Sequence, residues 1–305
     1  MPQNAWSLLI FTLFTQMSVG AFCVGELIHL SYSREFSFKN FNPLRYISLV
    51  FIFLAAALAG VSAIFHLKKW AHAYHAFNNL KTSWVSKEMA LFFLFVFFVA
   101  FLAFLSWRKI EANLIQLIMG IAGALSGLAL IYAMANIYML PTIPSWDYWT
   151  TPGLFFTSAL LLGTLTIVCL YSTNLRFSKS ASHSGAIRER WRTKTFPNLL
   201  KLLLFFIVTG ILITGFFAYR VMAVAEEFSS VADSLKMDKQ ILLFARVIFY
   251  VFGWILILLG LKKARQFNEN EEKILWLVYA AFILIVLAEI GGRYFFYASF
   301  YRLGV

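Results

Sequence analysis

Long apolar runs separated by short polar clusters dominate the chain. The runs lie near 4–31, 43–67, 86–107, 113–139, 152–173, 197–223, 240–262 and 273–299. Each is about 20 residues or more, the length an α-helix needs to cross about 30 Å of hydrocarbon. None shows the period-two alternation of a membrane barrel strand. In lipid the backbone finds no water, so each run must close its own hydrogen bonds as a helix. The breaks are polar clusters such as "SREFSFKNFNP", "RKIEAN", "PTIPSWDYWTTP" and "KKARQFNENEEK". No internal repeat or linker divides the pattern. It predicts an all-α, polytopic integral membrane protein: one bundle of eight transmembrane helices over residues 1–305.

Composition agrees with this reading. The chain is 61% hydrophobic and 13% charged, where a soluble domain is about 45–50% apolar and about 25% charged. The formal net charge of +12 is no nucleic-acid signal, because basic residues collect in the cytoplasmic loops of membrane proteins. Loops 32–45, 108–113, 174–197 and 262–273 carry 15 Lys and Arg, against 7 in the tails and the alternate loops. The basic set is therefore expected in the cytoplasm, with both termini on the outer, periplasmic side. No Lys or Arg precedes Arg34, so the first run is expected to be a retained helix rather than a cleaved signal. Cys23 and Cys169 lie inside apolar runs, too few and too separated for an iron–sulfur cluster.

Ionisable groups inside spans are costly and mark function by default. Glu26 and His29 fall at the inner end of the first span. His66, Glu88, Asn136, Arg220, Arg246, Glu289 and Arg293 all fall in the outer half. Glu289 and Arg293, four residues apart, share a helix face and can pair. This distribution predicts a polar pocket opening toward the outer surface. The competing reading is that the shallower groups reach out to water and the deeper arginines form a structural ion pair with Glu289.

The stretch "FHLKKWAHAYHAFNNLKTSWVSKE" joins the second and third spans and carries His66, His72, His75 and Glu88. Several chemistries fit such a cluster. A bis-histidine haem needs two imidazoles at one depth on different helices, and His29 and His66 lie near opposite faces of the bilayer. Zinc needs a third and fourth ligand beside His72 and His75, and none stands at suitable spacing. "KKWAHAYHAF" has the Trp, Tyr and Lys content of a membrane-interface segment. Proton handling remains. Oxidising a lipid-soluble quinol releases two electrons and two protons, and an imidazole near neutrality suits the first proton. A carboxylate at the membrane edge can pass it on, and His66 and Glu88 stand at one depth on consecutive spans. A transporter of an anionic solute built on the buried arginines is the alternative of a different class. It predicts helices broken at mid-membrane, whereas all six prolines are expected at span ends or in loops.

Four stretches resemble one family in the correct order: "WSLLIFTLFTQMSVGAF", "HLKKWAHAYHAFNNLKTSWVSKE", "YMLPTIPSWDYWTTPGLFF" and "LAEIGGRYFFY". Together they resemble the membrane anchor subunit of the DMSO reductase family of complex iron–sulfur molybdoenzymes. The resemblance implies a menaquinol-oxidising anchor in the bacterial inner membrane, serving anaerobic respiration. Its implied partners are a ferredoxin-type iron–sulfur subunit and a molybdopterin catalytic subunit, together with membrane lipid and the quinone pool. It implies no haem, cluster or metal in this chain. The family's quinol-site histidine and glutamate fall on His66 and Glu88, with Arg246 and Arg293 as candidate pocket residues. Two departures stand out: "KKW" replaces the family's G-x-P after the histidine, and Lys87 precedes the glutamate. The polysulfide-reductase type of anchor shares the architecture and the quinone role and stays open beside it.

Overall fold

A computed structural model describes residues 5–66, 79–177, 185–227, 237–264 and 267–300. These residues are helical with no strand among them. In chain order the elements are α1 (Ala5–Ser33), α2 (Phe38–His66), α3 (Trp84–Trp107), α4 (Asn113–Tyr138), α5 (Thr150–Phe177), α6 (Gly185–Arg190), a π-helical segment (Trp191–Thr195), α7 (Phe196–Glu227), α8 (Met237–Lys263) and α9 (Phe267–Ala298). Among the described residues eight helices are long and apolar enough to cross a membrane, with α6, the π segment and α7 forming one of them. The chain is a multi-pass integral membrane protein. An even number of crossings returns it to the end where it began. That terminal end carries the start of α1 and the close of α9, and the basic loops lie at the opposite, basic end.

The helices form two rings of four. α1, α2, α3 and α4 pack in order and close through α1 against α4. α5, α7, α8 and α9 close in the same way through α9 against α5. α1 and α5 join the rings. They are 78% and 72% buried over their most apolar stretches, against 28–39% for the other spans. Their backbones meet at Gly20 and Gly163. A Cβ on Gly163 would fall on the Gly20 backbone, and one on Gly20 on the Ala159 carbonyl. Membrane helices gain little from hydrophobic exclusion in lipid, so close backbone approach at small residues holds such a crossing.

At the basic end Arg45 departs from the loop assignment. It sits inside α2, 1% exposed. It donates from Nε and Nη2 to Glu26 at 3.1 and 2.8 Å, and from Nη1 to the Gln116 side-chain carbonyl at 2.5 Å. Gln116 in turn donates to the Ile110 carbonyl. Glu26 is thereby explained as a structural anion. The α3–α4 turn that this network caps is a Schellman motif, with Ile110 N–H donating to Leu105 O and Lys109 N–H to Ser106 O. Lys109 takes the left-handed conformation (φ 54°) where glycine is usual.

Residues 185–195, read from sequence as part of a basic loop, are helical and bind both rings. Ile187, Trp191 and Phe196 are buried, while the arginines between them reach outward. Arg190 pairs with Glu35 of the first ring and Arg192 with Glu271 of the second, the latter at 2.8 Å. The π turn has two causes. It brings Trp191 and Phe196, five residues apart, onto one face, and it loosens the ladder just before Pro197, whose ring would clash with the carbonyl four residues back. Pro43, expected at the end of its span, lies in the second turn of α2, four residues into the span. Both sites are toward the basic end, and neither breaks a helix at mid-span.

Candidate functional site

The terminal-end half of the bundle carries a buried polar network. Glu289 of α9 is 1% exposed and accepts from Ser158 Oγ of α5 at 2.6 Å and from the Tyr250 hydroxyl of α8. Arg246, one turn before Tyr250, donates to that hydroxyl at 3.1 Å and stands 3.6 Å from Glu289 Oε1. Gly292 leaves the room this requires: a Cβ there would overlap the Arg246 guanidinium. The i,i+4 pairing of Glu289 with Arg293 is replaced by this pairing across helices. Arg293 turns the other way. It donates to Gln16 Oε1 of α1 at 2.7 Å, with its guanidinium carbon 3.8 Å from the Phe155 ring centroid. Of the two buried arginines, Arg246 alone pairs with the buried carboxylate. Part of their donor capacity, Nε of each, has no partner among the described residues.

Beyond Arg293 lies a pair of phenols. Tyr138, the last residue of α4, and Tyr297, one turn after Arg293, bring their hydroxyls within 3.3 Å, and Tyr297 reaches Thr12 Oγ1 of α1 at 3.4 Å. Arg293 acts electrostatically on both phenols. The α4–α5 connection closes over them. Trp146 stacks on Phe296 at 5.0 Å, and its indole N–H donates to Phe296 O and Ser299 Oγ.

Glu88 approaches the same phenols from the first ring. It lies in the second turn of α3, half-buried, near enough to act electrostatically on Tyr138 and Tyr297. Its carboxylate makes no ion pair and no hydrogen bond with another described residue. His66 is the last residue of α2. A Cβ on Gly60 would lie 3.3 Å from the Phe92 ring, which sets the two helices in register. Counting from there toward the terminal end, His66 is about 9 Å beyond Gly60 and Glu88 about 6 Å beyond Phe92. His66 closes α2 and Glu88 stands in the second turn of α3, so the two positions lie at the same end of the bundle. His72 and His75 lie outside the described residues.

Of the remaining span residues singled out in the sequence, Asn136 donates to the Tyr132 carbonyl of its own helix. Arg220 lies over the Tyr148 ring at 5.5 Å. His29 stacks on Phe41 at the basic end. Among the described residues, no group of three or more His, Cys, Asp or Glu converges as a metal site requires. A search for charges passes over Tyr138, Tyr250, Tyr297, Gln16 and Ser158. The available signal was spacing, since Arg246–Tyr250 and Glu289–Arg293–Tyr297 each run along one helix face at steps of four.

Comparison with known proteins supplies the context. The protein is 26% identical to the anaerobic dimethyl sulfoxide reductase chain YnfH of Escherichia coli (strain K12), over 99% of its own length and 97% of that protein's. It is 27% identical to a polypeptide of the anaerobic dimethyl sulfoxide reductase of Haemophilus influenzae, over 52% of its length and 56% of the relative's. A model of the DMSO reductase anchor subunit family (DmsC) matches residues 2–299. With eight apolar spans and a match across nearly its whole length, the chain belongs to the DMSO reductase anchor subunit family.

Proposed function

We propose that this anchor oxidises menaquinol at the terminal end of the bundle and passes the electrons to an iron–sulfur partner subunit. Membership of the family makes the chain the membrane anchor of a DMSO reductase complex with catalytic and iron–sulfur subunits. The quinol step is a reading of this chain's residues. The observation that carries it is Glu88: a half-buried carboxylate with no ion-pair partner among the described residues, at the same end of the bundle as the close of α2 and the phenols of Tyr138 and Tyr297. Glu26, the buried carboxylate at the basic end, is by contrast paired with Arg45.

In this reading His66 accepts the hydrogen bond and first proton of the quinol, and Glu88 passes protons to water at the terminal end. Oxidation to the quinone releases two electrons and two protons. The electrons leave one at a time to an iron–sulfur centre of the partner docked at that end. Arg246 and Arg293 hold the polar end of the pocket in place. The positive-inside bias supports an outward-facing terminal end in the bacterial inner membrane, and the eight spans act as one anchoring unit. The polysulfide-reductase type of anchor is disfavoured by the family match, and the transporter reading by the absence of proline at mid-span.

The test is His66→Ala and Glu88→Gln in the assembled complex. Quinol-dependent reduction is expected to fall while an artificial donor to the soluble subunits still drives turnover. Quinol turnover that survives both changes refutes the assignment.

A further inference from the structure

Resting on the quinol reading above, we propose that the paired hydroxyls of Tyr138 and Tyr297, with Arg293 behind them, form a second polar contact of the headgroup site and take one oxygen of the aromatic diol or dione. Glu88 acts electrostatically on both hydroxyls, yet shares a hydrogen bond with neither. The carboxylate on α3 and the phenols on α4 and α9 are polar groups that both rings place at one end of the bundle. An aromatic para-diol carries its two oxygens at opposite ends of the ring, so a site that holds both needs polar groups on two sides. In this proposal Glu88 supplies one side, and the phenols supply the other.

The chemistry of the phenols suits both redox states. A hydroxyl donates to a quinone carbonyl and accepts from a quinol O–H, so contact persists as the substrate changes. Their mutual separation of 3.3 Å, and 3.4 Å to Thr12, is at the long end for O–H···O bonds. Either hydroxyl can exchange that contact for a better one. The guanidinium of Arg293 is fixed by Gln16 and the Phe155 ring rather than by a carboxylate hydrogen bond. Its charge is left to favour electron-rich oxygen at the phenols. The rings themselves are held by packing: Tyr138 contacts Trp146, Phe155 and Phe296.

Phenylalanine keeps that packing and removes only the hydroxyl. Tyr138→Phe, Tyr297→Phe and the double variant are to be made in the assembled complex and assayed with a water-soluble naphthoquinol and, separately, an artificial donor to the soluble subunits. Loss of one hydrogen bond predicts a rise in the naphthoquinol KM of about three- to ten-fold for each single variant, with artificial-donor turnover unchanged. Arg293→Lys, which keeps the charge, is expected to change KM less than Arg293→Gln. An unchanged KM in the double variant, where Glu88→Gln abolishes quinol turnover, removes the phenols from the site and leaves the quinol reading standing. Quinol turnover that persists in both His66→Ala and Glu88→Gln refutes the underlying reading itself.

Discussion

Replacing Glu289 by Gln removes the buried carboxylate that pairs with Arg246, and the consequence can be worked from the geometry. Glu289, Arg246 and Arg293 are 1%, 4% and 3% exposed, so water does not screen them. At 3.6 Å and an effective dielectric of about 20, the attraction between Arg246 and Glu289 is about 4–5 kcal/mol. The bonds from Tyr250 and Ser158 also pass from a charged to a neutral acceptor, at about 1 kcal/mol each. Gln escapes the cost of burying a charge, which offsets part of this. The expected net loss is about 3–5 kcal/mol, the usual result of stranding one partner of a buried pair. The assay is unfolding of the detergent-solubilised protein followed by its tryptophan emission, for which it carries nine residues. The decisive comparison is Glu289→Gln with Arg246→Met in the same polypeptide. Removing the stranded charge is expected to recover most of the loss, because an unpaired buried guanidinium is the larger part of the cost. A single-variant loss below about 1 kcal/mol, or a double variant no more stable than the single, refutes the account of this network.

Other perturbations test separate features. Gly163→Leu drives a side chain into the Gly20 backbone and is expected to cost at least about 3 kcal/mol, read as lost thermal stability in detergent, whereas Gly185→Ala, which meets nothing, is neutral. Trp191→Ala empties the space between Tyr171 and Phe196 at about 3–5 kcal/mol, and proteolysis within 185–195 should quicken. Lys109→Gly relieves the left-handed residue of the α3–α4 turn and is expected to stabilise by about 0.5–1 kcal/mol. Gly292→Ala displaces the Arg246 guanidinium and should destabilise like Glu289→Gln in the same unfolding assay.

Sequence reasoning reached the eight spans because lipid makes hydropathy and length nearly decisive. The third span, read as 86–107, is α3 at Trp84–Trp107, and the fourth, read as 113–139, is α4 at Asn113–Tyr138. It erred where amphipathic and basic character coincide. Arg190 and Arg192 made 185–195 look like loop, although Ile187 and Trp191 sit four apart on a buried face. Arg45 was assigned to a loop because it stands at the edge of an apolar run, and only the carboxylate of Glu26 on another helix makes its burial tolerable. The candidate site was legible as a depth pattern of charges. Its partners were not, because pairing across helices depends on rotations about the helix axes that hydropathy does not encode. Glu289 found Arg246 through Tyr250 rather than Arg293, its neighbour on the same face.

The central place of α1 bears on how the protein is made. Its most apolar stretch has a mean hydropathy of 1.8, below the 2.1–2.8 of the other spans, and is mostly buried. Gln16, Ser18, Glu26 and His29 interrupt its apolar character. The backbone of Gly20 packs against Gly163 of α5, more than 140 residues later in the sequence. During synthesis α1 must therefore enter the bilayer and wait, with Gln16 unmatched until Arg293 arrives on the last helix. Insertion machinery that shelters a weakly apolar first helix until the fifth is complete would be a physical requirement of this design, and ribosome-bound polypeptides stopped before and after α5 should differ in how firmly α1 is held in the membrane.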